Sequence, residues 1–290
     1  MEKLRIEHLR PGMILARSIY LPDGRILVRG NTTITAPAIS KFREIRLPSV
    51  YIESANQGES ITELVSDLTR SDLAQSFAKM YQEIRSGKHV SILNCRKPLT
   101  LLMEEVLNNQ RKIPFLNEIR IHTDYICSHS INVCIIALKI GVQMGYDHSK
   151  LNELAIGAVF HDVGMAKVPS EILERIGGLT TDEVRQIQSH PRTGCEILRQ
   201  NMEIPAASAR IAYEHHERFD GSGYPRGIKG DEIHEFSRII ALSDAFDAMT
   251  TEKLYSSAKP VPEALKQIKN LKGTEFDPAV VDALNKAIFD

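Results

Sequence analysis

The apolar positions of this chain fall into two regimes. Over residues 1–55 they come as short β-prone runs, Met13 to Tyr20 and Arg25 to Val28. Pro22-Asp23-Gly24 between them is turn chemistry, with Gly24 free to take positive φ. Gly30-Asn31 predicts a second turn, Pro37 to Ile45 a short helix and Ser49 to Ile52 a closing strand. This predicts a small α+β N-terminal domain, read either as a structural appendage or as a regulatory, sensing unit. Asn56 to Ser60 is a polar linker. Then Ile61, Leu64, Val65, Leu68, Leu73, Phe77, Met80, Tyr81 and Ile84 keep helical spacing as far as Ser86-Gly87. Two readings of that amphipathic helix stay open, packing on its own domain or pairing with its copy in a homodimer. Pro98 to Asn109 is a further helix, so residues 56–112 read as a linker and helical segment.

From about Phe115 onward the period is almost entirely helical. Helices are predicted over Ile131 to Met144, with His129 near the start, and from a cap at Ser149 to His161-Asp162, stopping near Gly164. Thr180 and Glu183 form a capping box for the helix leading to His190, and Pro191 opens a turn that continues through Ile197-Leu198. Ala206 to His216, Ser237 to Met249, Pro262 to Leu271 and Pro278 to Phe289 complete the set, with Asp220 to Gly227 a glycine-rich loop. The expected fold class is therefore mainly α: a helical domain over residues 113–290 behind the small α+β domain.

Composition narrows the function classes. A formal net charge of -1 over 290 residues supports neither a nucleic-acid polymer nor an anionic membrane surface as partner. No apolar run approaches the ~20 residues that span a bilayer, and the charged start Met1 to Glu7 lacks the apolar core of a signal peptide. The expectation is a cytoplasmic protein without a membrane partner. Cys95, Cys127, Cys134 and Cys195 show no Cys-x-x-Cys spacing and are expected to be free, structural thiols.

Candidate chemistry centres on His161-Asp162, at the end of an apolar run and just before a glycine. Asp162 has two oxygens and can bridge two cations, while His161 adds a nitrogen ligand to one. Any single histidine is more often a core or surface residue than a ligand. Here, however, His129, His190, His215-His216 and Asp244 surround the pair in sequence. On a helix the two rings of His215-His216 point ~100° apart, so both ligate only if the metals sit across the helix end. Asp244 lies inside the apolar run Arg238 to Phe246, where an unpaired carboxylate is costly to bury and a cation would satisfy it. Imidazole with carboxylate suits iron, manganese, zinc or nickel.

The ordered motifs resemble the HD-GYP family of HD metal-dependent phosphohydrolases over roughly residues 115–290. They are His129-Ser130 with Asn132-Val133, His161-Asp162-Val163-Gly164, His190-Pro191, His215-His216-Glu217, Asp220 to Pro225, Ser243 to Ala248, and Gly273 to Pro278. The resemblance implies a helical bundle that cleaves cyclic di-GMP, or a related cyclic dinucleotide, to linear pGpG or GMP. It implies two or three divalent metal ions, iron or manganese before zinc or nickel. The first would sit on His129, His161, Asp162 and Asp244, the second on Asp162, His190, His215 and His216. A metal-bridging hydroxide would attack phosphorus in line, with Asp162 and His161 at the centre of the chemistry. Gly223 and Tyr224, in the loop before Pro225, are implied to lie at the rim, as substrate-binding residues and as a contact for a protein partner.

The chain departs from the family in three ways. Tyr125 stands where some members carry a glutamate for a third metal, so two metals are expected. Met165 replaces the lysine that grips a substrate phosphate, with Lys167 two residues on. Lys253 replaces an arginine and Ser256 a basic residue in Glu252-Lys253-Leu254-Tyr255-Ser256. Three readings follow: a cyclic-dinucleotide phosphodiesterase, a metal-bearing binding or signalling module with weak or no turnover, and a phosphohydrolase of altered substrate.

Overall fold

The computed structural model describes residues 2–21, 25–45, 47, 49–53, 64–88, 91, 93–109, 125–173, 175, 177–200, 203–251 and 258–289. The turn expected at Pro22-Asp23-Gly24, the linker Asn56 to Ser60, Ile61, and the positions Lys253 and Ser256 lie outside these residues.

The N-terminal part is α+β. Strand β1 (Glu2–Arg5) pairs antiparallel with β4 (Ser49–Ile52), and β2 (Ile19–Tyr20) with β3 (Ile26–Val28). Helix α1 (Ala36–Glu44) is capped by Thr35, whose hydroxyl accepts the Ala38 amide. The pairing role of β1 was not legible in its charged sequence. Asn31, in the expected second turn, takes φ 58, a conformation asparagine tolerates better than most residues. Ile6, Leu15, Ile34, Phe42 and Val50 form the centre of a core of its own.

From Leu64 on, most of the described helices share a second core. Helix α2 (Asp67–Arg85) is followed by α3 (Leu93–Asn108), α4 (Tyr125–Gln143), α5 (His148–Phe160) and the short α6 (Ser170–Leu173). Then come α7 (Thr181–Gln188), α8 (His190–Arg199), α9 (Ala206–Glu214), α10 (Glu235–Thr250), α11 (Val261–Asn270) and α12 (Pro278–Phe289). Helix α4 is the axis, with Val133 through Leu138 fully buried and α5, α10, α12, α3 and α2 packed around it. Its stretch Ile126–Gln143 is long and apolar enough to cross a membrane, yet 78% of it is buried inside the fold. Helix α2 packs on α3, α4 and the 3-10 segment Val163–Lys167, so it covers its own domain.

Several boundaries differ from the pattern. Leu68 is 63% exposed because α2 begins only at Asp67; Leu64 and Val65 are buried from the chain ahead of it. Helix α3 starts at Leu93, with Pro98 inside it and no amide there to donate. The cap of α5 is Asp147, not Ser149: its carboxylate accepts the Lys150 amide at 2.9 Å, which starts the helix at His148. The Thr180–Glu183 capping box forms as expected. All four cysteines are free and buried.

The segment after Asp162 is seated on the start of α8 by the absence of a side chain. A Cβ on Gly164 would lie 2.0 Å from the His190 carbonyl oxygen and 2.6 Å from the Gly194 amide nitrogen, both rigid backbone. Gly164→Ala must therefore push the two segments apart, at a cost of about 2–3 kcal/mol. Urea unfolding is expected to show a lowered midpoint with an unchanged slope.

Candidate metal centre

The seven sequence-predicted ligands come together. Six of them lie near ends of elements, and the seventh, Asp244, sits in the middle of α10. His129 is in the first turns of α4, and His161 and Asp162 follow the last residue of α5. His190 opens α8, and His215 and His216 follow Glu214, the last residue of α9. Two groups of donor atoms result, one from His129, His161 and Asp244, the other from Asp162, His190, His215 and His216.

The carboxylate of Asp162 joins the groups. Its Oδ1 lies 3.2 Å from His190 Nε2 and 3.4 Å from His215 Nε2, while Oδ2 lies 3.4 Å from His161 Nε2 and 4.0 Å from His129 Nε2. Asp244 Oδ1 is 3.1 Å from His129 Nε2. Ligand atoms at about 2.1 Å from one cation and at right angles to each other are about 3 Å apart, so these separations suit shared ions. His215 and His216 fall in one group, as the resemblance implies. Helix α9 ends at Glu214, short of the expected His216, their ring centroids are 4.2 Å apart, and both face the donors of Asp162 and His190.

Four of the five rings are aimed by their other nitrogen. The Nδ1–H groups of His161, His190 and His215 donate to the carbonyls of Ala158, Ile187 and Ala212 at 2.7, 2.6 and 2.9 Å. That of His129 donates to Asp247 Oδ2 at 2.7 Å. The arrangement leaves Nε2 directed at the centre as a lone pair. His161 Nε2 is buried with no hydrogen-bond partner, an orphan acceptor that a cation would satisfy. The donor set and this orphan fit divalent metal ions.

Electrostatics agree with that fit. Burial works to protonate Asp162, but the imidazoles beside it, His161 first and then His190 and His215, hold it well below the usual carboxylate range. Burial opposes a charge on His129, yet its bonds to Asp244 and Asp247 push it up to about 10, so positive charge is wanted between that nitrogen and Asp244. Burial, reinforced by His215, pushes His216 down to about 3 and keeps it a neutral donor.

The glycine-rich loop supports this centre. The Tyr224 ring stacks on His216 with centroids 4.9 Å apart, and its amide donates to the His216 carbonyl at 3.1 Å. A Cβ on Gly223 would meet the Arg218 amide nitrogen at 2.3 Å and the His216 carbonyl at 2.5 Å. In this structure both residues thus press on a ligand histidine. Buried Glu217 accepts the amides of Arg226 and Ile228 at 2.7 and 3.2 Å, and buried Glu214 takes the His234 amide at 2.8 Å and the Arg226 guanidinium. The Phe219 and Asp220 amides donate to Glu275 and Thr274, which ties the Gly273 to Pro278 motif to the loop.

A family model described as HD domain matches residues 102–280. The chain belongs to the HD domain family. A cyclic di-GMP phosphodiesterase of Thermotoga maritima is 39% identical over 159 residues, 54% of this chain and 43% of that protein. A 3'3'-cGAMP-specific phosphodiesterase of Vibrio cholerae is 36% identical over 164 residues, 57% of this chain and 35% of that one. An HDG"Y"P protein from Bdellovibrio bacteriovorus shares the fold over 98% of each chain, with a TM-score of 0.59 at 14% identity. The chain spans about half or less of the length of the curated relatives it matches.

The HD-domain reading missed three supporting residues: Asp247, Asn132 and Arg70. Asp247 and Asn132 stood inside quoted motifs without a role. Arg70 gave no signal beyond being a cation in an amphipathic helix.

If Asp162 serves both groups, Asp162→Asn is expected to weaken metal binding at both, whereas His216→Ala weakens one. Metal analysis of the purified variants checks this: the first should lose nearly all bound divalent metal, the second about half.

Proposed function

We propose that this HD-GYP protein is a two-metal phosphodiesterase that hydrolyses a cyclic dinucleotide, cyclic di-GMP in the first place, to pGpG or GMP. The observation that carries it is the single carboxylate, Asp162, shared by two histidine-rich ligand groups. The names of the relatives support the substrate class. Iron or manganese suits the mixture of imidazole and carboxylate. Bound there, two cations supply Lewis acidity and a water activated at neutral pH. Asp162 holds both sites at a fixed separation, and the backbone carbonyls behind the histidines keep the nitrogens aimed. Tyr224 covers one face of His216. The separate core of Ile6 to Ile52 supports a regulatory unit ahead of the HD domain.

A second reading, a metal-bearing binding module with weak turnover, rests on the substrate side. Met165 supplies no charge where the family's lysine stands. Lys167 does not replace it, because its ammonium donates to the Ile84 carbonyl at the end of α2, at 2.5 Å. A missing charge-assisted contact costs about 1.5–3 kcal/mol, roughly ten- to hundredfold in affinity.

Protein loaded anaerobically with iron or manganese is expected to convert cyclic di-GMP to pGpG or GMP, read by chromatography, and His161→Ala to abolish this. Cyclic di-GMP bound in calorimetry but never cleaved, with either metal and at high enzyme concentration, would favour the binding module. Met165→Lys is expected to lower KM about tenfold with little change in kcat.

A further inference from the structure

Helix α2 lies outside the residues matched by the HD-domain family model, yet it reaches the support of the metal centre. Arg70, only 8% exposed, donates from Nη1 to Asn132 Oδ1 at 3.1 Å. Asn132 Nδ2 donates to Asp247 Oδ1 at 2.9 Å, and Asp247 Oδ2 accepts from His129 Nδ1 at 2.7 Å. His129 Nε2 then faces Asp244 at 3.1 Å. Asn132 and Asp247 are fully buried and His129 nearly so, which leaves water little access to substitute for any link.

Asn132 is held from both ends. Guanidinium is a donor only and stays charged, so it draws the oxygen of the amide. The Asp247 carboxylate is an acceptor only and draws the NH2 group. Without Arg70 the oxygen loses this donor, and the amide that braces Asp247 is anchored at one end. One helical turn before Arg70, the carboxylate of Asp67 accepts from the hydroxyls of Ser18 and Tyr20 in the N-terminal part. Ser18 Oγ also accepts the Gly30 amide at 2.8 Å, which anchors it to the turn before Asn31.

We propose that Arg70 is a positioning residue for the ligand His129, and that the N-terminal domain sets it through its grip on Asp67. The inference rests on the two-metal reading. Arg70 acts through Asn132 and Asp247 on the His129–His161–Asp244 group, and leaves the His190–His215–His216 group untouched. The same contact joins the two cores: a shift of α2 driven from Ser18 and Tyr20 changes the aim of one metal ligand.

The test is manganese titration of the full-length chain by calorimetry and electron paramagnetic resonance. In Arg70→Met one of two manganese sites is expected to weaken about tenfold or more while the other holds, with partial recovery in Arg70→Lys. Ser18→Ala with Tyr20→Phe should weaken the same site by a smaller factor. Unchanged affinities in Arg70→Met, or equal loss at both sites with a lowered melting temperature, would overturn the positioning role. A double variant identical to the parent would overturn the link to the N-terminal domain. If the parent chain binds no manganese at all, the two-metal reading fails separately. The hydrogen-bonded Nδ1 proton of His129, assigned in the NMR spectrum with His129→Gln, then decides: its loss in Arg70→Met supports the positioning role and its persistence rejects it.

Discussion

A carboxylate ringed by imidazoles, with only 16% of its side chain exposed, is the constraint around which this protein is built. Asp162 is enclosed by His129, His161, His190 and His215, and a buried negative charge is tolerated only with positive charge or donors beside it. Burial holds His215 and His216 down as neutral nitrogens, whereas His129 and His161, against the same burial, are pushed up by the carboxylates beside them. Positive charge is thus drawn to this point, and divalent cations would supply it. The rest of the helical domain can be understood as a means of holding those rings at one point.

Helix ends make that possible. A residue past the end of a helix is released from helical spacing, and Asp162, His215 and His216 all lie there. Three ligand rings are locked by carbonyls three residues earlier, the acceptors that become free where helices terminate. His129 is the exception. It lies within α4, where its Nδ1 meets a side chain, Asp247, and so depends on a chain of residues from three helices. Its orientation is consequently open to influence from α2, whereas that of the others is fixed locally.

Just past Asp162 the chain offers little free positive charge: Met165 carries none, and Lys167 is engaged with the Ile84 carbonyl at the end of α2. The same Lys167–Ile84 contact holds α2 against the segment that follows Asp162.

Sequence alone determined the helical class, most element positions and the seven residues that gather in two donor groups, because periodicity reports burial and because histidine and aspartate in apolar runs are costly without a purpose. It also carried the Thr180–Glu183 cap, which is local chemistry. Tertiary structure decided the rest. That His215 and His216 both reach one donor group depends on where α9 stops. The pairing of charged β1 with β4, the seat of Gly164 on α8, and the tie of Arg70 to Asn132, 62 positions apart, depend on contacts between distant segments. A side chain's type and spacing state what it needs; only the folded chain determines which distant partner provides it.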